Sequence, residues 1–216
     1  MDFTTLTDQI KDTLSRYDDT VVTNIPYFIN QAQQRIAREV TIIDLVKLTK
    51  NPVVKGKSFF EKPADFIRPL SCYFHVPGLT YSKNIEYRSK EFIIAYLGAA
   101  GDPLYYTDGA TTVTISPNIE KPIMIFCPTL ERDEGVDIWL EYYAYPGDLS
   151  EGTRTNALTK SAPNLLLYGS LLECAPFLKE DERIQIWQQY YNDAKEMYGT
   201  TNVASKQDRS RDLMKD

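Results

Sequence analysis

A single histidine, His75, occurs in 216 residues. That scarcity excludes a metal centre built on two imidazoles and any catalytic mechanism that needs a pair of them. Cysteine is nearly as scarce. Cys72, Cys127 and Cys174 lie far apart in apolar stretches, and none belongs to a Cys-x-x-Cys pair. Three such residues read as reduced core thiols, not as a disulfide framework. Cys72 and His75 have the spacing of two zinc ligands, but no second pair accompanies them, so a half-buried strand is the expected setting. No apolar run approaches the roughly 20 residues of a membrane-spanning helix. Met1-Asp2-Phe3 has neither the basic start nor the following apolar stretch of a secretion signal. The expectation is a chain synthesised in a reducing cytoplasm and having no membrane partner. Gly98-Ala99-Ala100-Gly101 lacks the Lys-Ser or Lys-Thr of a phosphate loop and reads as a turn.

Positive charge is also in short supply. Lys and Arg number 24 against 30 Asp and Glu, a formal charge of -6. The last 17 residues hold four basic and three acidic side chains, which leaves 20 basic against 27 acidic residues in the body. An acidic body argues against tight binding to a phosphate backbone, which needs clustered Lys and Arg. It does not exclude a surface past which DNA slides. The densest acidic cluster, Glu131-Arg132-Asp133-Glu134-Gly135, falls between two strand-like runs, where solvated charge is the default. A glycosidase needs two acids at a set separation, and no motif here specifies one. No enzyme, cofactor or metal is expected.

Aromatic residues are what the chain has in quantity, with 15 Tyr and 9 Phe. Tyrosine suits an interface and a tyrosine-rich sheet equally, and both readings stay open. The apolar spacing then gives the elements. Leu6, Ile10 and Leu14 predict a first helix, with Thr5 and Asp8 as a capping box and Asp18-Asp19 as its end. A second helix is expected from about Pro26, with Ile25, Ile29, Ala32, Ile36 and Val40 as its stripe; Gln31, Gln33, Gln34, Arg35 and Arg38 lie largely off it. β-Branched runs follow at 42–49, 66–76, 111–116, 123–127 and 136–145, punctuated by Pro and Gly. Residues 90–97 read as a short helix on the sheet. Leu165, Tyr168, Leu172 and Ala175 make a helix begun by Pro163 and broken by Pro176. Ile184, Trp187, Tyr191, Ala194 and Tyr198 make the last one, with Asp181 as its cap and Gly199 as its stop.

The expected class is α+β. Helices 1–41 and 151–199 complete one helical bundle, an antiparallel β-rich lobe occupies 42–150, and 200–216 is an extended C-terminal arm.

Four stretches, in order and spacing, resemble the head-to-tail adaptor (connector) proteins of short-tailed bacteriophages. They are Phe28-Ile29-Asn30-Gln31-Ala32 through Ile36-Ala37-Arg38-Glu39; Lys62-Pro63-Ala64-Asp65-Phe66-Ile67-Arg68-Pro69; Gly101-Asp102-Pro103-Leu104-Tyr105-Tyr106-Thr107; and Ala162-Pro163-Asn164-Leu165-Leu166-Leu167-Tyr168-Gly169 with Glu173-Cys174-Ala175-Pro176-Phe177-Leu178-Lys179, Asp181-Glu182-Arg183, Trp187 and Tyr190-Tyr191. The resemblance spans about residues 25 to 199. Its residues also have structural roles: Pro63-Ala64-Asp65 launches a strand, Gly169 permits close helix approach, and Trp187 anchors a helix in the core.

The resemblance implies a non-enzymatic virion subunit at the head–tail junction. Family members form a ring, usually of twelve copies, beneath the portal protein. Its implied partners are the portal, neighbouring adaptor copies, and tail nozzle or fibre proteins, with genomic DNA passing through the channel without specific binding. Another neck or tail-completion protein, a virion-associated hydrolase and a free carbohydrate-binding module are the alternatives. Asp12, Asp18, Asp19, Asp133 and Glu134 are candidates for an acidic channel face, though each also reads as plain solvated charge. The arm is expected to dock on a partner, with Arg209 and Arg211 pairing to carboxylates and Leu213 and Met214 filling a shallow apolar pocket.

Overall fold

The computed structural model describes the chain except residues 77, 79–81, 97, 109–111, 117–118, 132–135, 179–181 and 213–216; at 112–116, 119–120 and 199–212 it describes the backbone alone. In chain order the elements are α1 (Phe3–Leu14), α2 (Asp19–Glu39), a 3-10 turn (Ile43–Leu45), β1 (Val46–Val53), β2 (Phe59–Glu61), β3 (Phe66–His75), β4 (Ser82–Asn84), β5 (Glu86–Tyr87), α3 (Lys90–Tyr96), β6 (Tyr105–Thr107), β7 (Thr112–Ser116), β8 (Ile119–Cys127), β9 (Val136–Ala144), α4 (Ala157–Ser161), α5 (Pro163–Leu178) and α6 (Ile184–Asp212). The class is α+β. Two compact units emerge: Met1–Leu45 with Tyr145–Asp216, and Val46–Ala144.

The first unit is helical. Leu6, Ile10 and Leu14 are buried on one face of α1, and Ile25, Ile29, Ala32 and Ile36 on one face of α2, as the three-four spacing requires. Burying a side chain of this kind contributes about 1.5–3 kcal/mol. Both helices start differently from expectation. Asp2, not Thr5, caps α1: its carboxylate accepts from the Thr5 N–H at 2.8 Å. Asp18-Asp19 opens α2 instead of closing α1, because the Asp18 carboxylate accepts from the Val21 N–H at 3.0 Å. Pro26 therefore lies inside α2. It removes the bond to the Val22 carbonyl, a local cost offset by the burial of Ile25, Phe28 and Ile29 around it.

The C-terminal helices also differ from expectation. Pro176 sits in the last turn of α5 and does not break it, since the helix ends two residues later at Leu178. Gly199 is not a stop. The α6 backbone continues to Asp212, and the strong helix formers Ala204, Lys206, Gln207, Arg209 and Arg211 offset the roughly 1 kcal/mol cost of an interior glycine. A short helix, α4, precedes α5 and is capped by an Asn156–Thr159 box. Asp181, expected as a cap, lies outside the described residues.

Gly169 fixes how these helices meet. A Cβ there would lie 3.3 Å from Tyr191 of α6 and 3.4 Å from both Ala32 and Ile36 of α2. The α5 backbone thus approaches two helices at one point. Phe28 packs edge-on against Phe177 at 5.8 Å, so α2 and α5 run antiparallel. Trp187 is buried, as its place in the sequence implied.

The second unit is a sandwich. One sheet has the order β1-β9-β3-β4; the other has β2-β8-β6-β5, with β7 paired to β8. Among the described strands pairing is antiparallel except for β5 with β6, so the lobe is mixed, not purely antiparallel. β9 alternates strictly at first: Val136, Ile138, Leu140 and Tyr142 face the core between the sheets, while Asp137, Trp139 and Glu141 point away. β8 is apolar on both sides. Met124 and Phe126 join that core, and Ile123, Ile125 and Cys127 meet α3 through Ile93 and Phe92. That double burial explains an unbroken apolar run where alternation would otherwise be expected.

Replacing Gly169 with leucine is expected to lower stability by about 1–3 kcal/mol, because the new side chain overpacks the crossing. Thermal denaturation checks it. An unchanged melting temperature would mean that the three helices do not meet as closely as described.

Candidate interaction surfaces

Pro63-Ala64-Asp65 forms a turn closed by the Phe66 N–H on the Pro63 carbonyl at 3.1 Å, and β3 begins there. Asp65 then ties the sheet together. Its carboxylate pairs with Lys47 of β1 and accepts from the Tyr142 hydroxyl of β9 at 3.0 Å. Burial pushes the Asp65 carboxyl up, but the bonds from Lys47 and Tyr142 outweigh it and hold the group below the usual aspartate range. Burial, with Asp65 close by, lifts the Tyr142 hydroxyl to about 12.

A second cluster surrounds the Gly169 crossing. Arg35 Nε donates to Glu39 at 2.9 Å and its Nη1 to Glu173 at 3.3 Å, while the guanidinium lies over the Tyr191 ring at 5.1 Å. Glu39 accepts also from the Tyr191 hydroxyl at 3.2 Å and Lys195 Nζ at 2.9 Å. Partial burial raises Glu39, yet the bonds from Lys195 and Arg35 prevail and lower its carboxyl overall. Every member spans from one helix to another, so the cluster binds α2, α5 and α6 together.

A third cluster holds the segment that returns from β9 to α4. Asn30 behaves as an extra strand residue: its Nδ2 donates to the Leu149 carbonyl at 3.4 Å and its Oδ1 accepts from the Leu149 N–H at 3.0 Å. Gln33 Nε2 donates to the same Oδ1 at 2.6 Å, and Asn156 Nδ2 donates to Gln33 and to the Gly147 carbonyl. Gln33, expected off the apolar stripe, is buried because these amides satisfy it. Beside it, Gln33, Gln34, Arg38, Tyr145, Pro146 and Asp148 line an open depression of about 290 Å³. Arg38 Nε donates to the Tyr145 hydroxyl at 3.0 Å across it.

The residues weighed for chemistry are kept apart. Cys72 lies in the sandwich core, whereas His75, three residues along the same strand, is on the opposite face. The His75 ring lies 4.9 Å from that of Trp139, tilted by 38°, and its Nδ1 lies 3.2 Å from Ser82 Oγ. The two cannot share a metal, and among the described residues no group of three or more His, Cys, Asp or Glu is placed to hold one. All three cysteines are buried and unpaired, and burial drives the Cys72 and Cys174 thiols up to about 12. Asp12 and Asp18, named for a channel face, are exposed but locally engaged, by the Tyr17 hydroxyl at 2.9 Å and Arg16 Nε at 3.0 Å. Asp19 is exposed at the start of α2. Asp133, Glu134, Leu213 and Met214 lie outside the described residues. Arg209 and Arg211 are on the α6 backbone, and their side chains lie outside the description. Among the described residues no helix is long and apolar enough to cross a membrane.

These features define an α+β structural protein in which the polar clusters join one element to another. The chain matches the model of the SU10 adaptor protein family over residues 1–213 and belongs to that family, which makes it a bacteriophage head-to-tail adaptor protein. The family is one of structural adaptors, not of enzymes. The match takes in α1 and α6, beyond the 25–199 stretch that carries the resemblance. No curated protein matches the chain.

The lowered Glu39 carboxyl gives a signed pH dependence. Its contribution is present above the unfolded-state value of about 4.3 and is lost as pH falls through the lower folded value. Glu39→Gln is expected to melt below the unmodified protein at neutral pH, with the gap narrowing as the solution is acidified below about pH 4.3. Melting curves across that range test it, and a constant gap would show that the pairs contribute nothing.

Proposed function

We propose that this adaptor assembles as a ring, of twelve copies as is usual in the family it resembles, beneath the portal at the head–tail junction of the virion. There it extends the DNA channel and offers a platform to tail nozzle and fibre proteins. The observation that carries the proposal is membership of the adaptor family across almost the whole chain. The clusters that lock the helices together support it, since a subunit of a load-bearing ring needs a rigid body.

Charge sets the next part of the reading. At -6 per copy, gathered subunits repel one another. The free subunit is therefore monomeric or weakly associated, and the portal acts as the template. Acidic residues facing the channel would repel the genome and let it pass without sticking.

The arm, residues 200–216, is the proposed attachment. It is polar and charged and has too few apolar residues for a core of its own. Arg209 and Arg211 would pair with carboxylates of the portal or of a neighbouring adaptor, and Leu213 and Met214 would enter an apolar pocket there.

Two measurements test the proposal. A chain shortened after Gly199 is expected to keep its fold, read by circular dichroism and melting, and to lose attachment to portal particles of its own phage. Unchanged attachment would place that role in the helices. Binding of the full chain to duplex DNA at physiological salt, followed by anisotropy, is expected to be undetectable at micromolar protein, and tight binding would defeat the channel reading.

A further inference from the structure

A quarter of the residues are charged, yet two helical stretches carry no charge at all. One is Thr20 to Gln34 in α2 and the other is Ile184 to Asn192 in α6. Absence of charge is ordinary on a buried side. Val21, Ile25, Phe28, Ile29 and Ala32 take the buried side of α2, as Trp187 and Tyr191 do in α6. Within these stretches the solvent sides are uncharged too, with exposed charge returning within a turn beyond, at Glu182 just before α6, at Asp193 on α6 and at Arg38 on α2. On α2 that side shows Thr23, Tyr27, Gln31 and Gln34, with Tyr27 60% exposed. On α6 it shows Ile186, Gln189 and Tyr190, with Ile186 51% and Tyr190 47% exposed. A helix face in contact with water usually mixes charged residues with polar ones. Exposed tyrosine where charge is absent matches the centre of a protein–protein contact.

We propose that these two faces are the contact between neighbouring copies: the α6 face around Gln189 and Tyr190 of one copy seats on the α2 face around Tyr27 of the next. The inference rests on the ring reading given above and names its interface. The occupant is a second copy of this chain because of charge. Two copies of an acidic chain approach most easily where neither presents charge. Nucleic acid would instead be recognised by clustered cations, and neither stretch carries a Lys or Arg. The chemistry is also mutually complementary. Gln31, Gln34 and Gln189 each donate and accept, so amide can pair with amide across the contact. Tyr27 and Tyr190 add large, stiff area with a polar tip, and Tyr190 is braced by Tyr168 at 5.0 Å between ring centres.

The geometry explains why such a contact would propagate. The faces are on different helices, and both helices are locked to α5 at Gly169. Each copy therefore offers α6 to one neighbour and α2 to the other. A contact between two different faces does not stop at a dimer and closes only as a ring.

The test uses the full chain on portal particles of its own phage. Tyr27→Glu and Tyr190→Glu change exposed positions, so circular dichroism should match the unmodified protein. Each is expected to weaken the copy-to-copy contact at least about ten-fold, since a carboxylate must be desolvated in an uncharged contact. Rings counted by electron microscopy should fall accordingly. In a second experiment Thr23→Cys and Gln189→Cys are combined; the native cysteines are buried. Mild oxidation is expected to give a ladder beyond the dimer from the double variant and no ladder from either single variant. Rings formed equally well by both glutamate variants would overturn the assignment and leave the ring reading standing. Dimers from Gln189→Cys alone would overturn it as well, by showing a contact of α6 with itself. Absence of rings from the unmodified chain would remove the ring reading and this assignment together.

Discussion

The helical unit depends on the absence of a side chain at Gly169. Three helices approach one point there, and an added Cβ would crowd Tyr191, Ala32 and Ile36 at once. Close approach makes the surrounding polar cluster possible, because Arg35 reaches Glu39 on its own helix, Glu173 on α5 and the Tyr191 ring on α6. The apolar contact sets the distance and the ion pairs set the alignment. An exposed pair contributes little by itself, but a partly buried network shared by three helices resists their sliding past one another.

The same helix also carries the chain back from the β unit. Asn30 and Gln33, one turn apart on α2, receive the Leu149 backbone and the Asn156 side chain. The return segment delivers further bonds to the start of the chain, with the Phe3 N–H on the Arg154 carbonyl and the Met1 amino group on the Thr159 carbonyl. Segments at the two ends of the sequence therefore form one body because a handful of amides replaces the backbone pairing that an irregular segment lacks. The 99-residue β unit, Val46–Ala144, is inserted in sequence between the two parts of this body, Met1–Leu45 and Tyr145–Asp216.

Periodicity made much of this legible. The apolar stripes of α1 and α2 and the long strands β3 and β9 stand out because one face of each is buried and the other is not. The strands β2, β4, β5 and β6 were illegible, since two or three residues are too few to show a period. Prolines misled for a definite reason. Pro26 and Pro176 each remove one hydrogen bond, and a helix with enough buried contact can absorb that loss, which local chemistry alone does not reveal. Gln33 misled because its burial depends on Asn156, more than a hundred positions away. The fold class and the family could be read from the chain. The placement of the polar clusters could not, because each joins segments distant in sequence.

Function in a protein of this kind leaves a different trace from that of an enzyme. Catalysis demands a few groups with shifted ionisation in one cleft. Here Glu39, Asp65, Tyr142 and Tyr191 are shifted at junctions between elements, by burial opposed or assisted by a structural partner, while the Cys72 and Cys174 thiols are raised by burial in the core. Assembly demands surfaces instead, and a surface shows itself by where charge is withheld. The chain places acidic residues at the exposed α1–α2 turn and withholds charge along the neighbouring length of α2. If copies meet through the unlike faces proposed above, each step brings a rotation, and the close packing of α2 and α6 at Gly169 would help to set how many copies close a ring. A side chain with no atoms beyond Cα would then control the geometry of an assembly many times its own size.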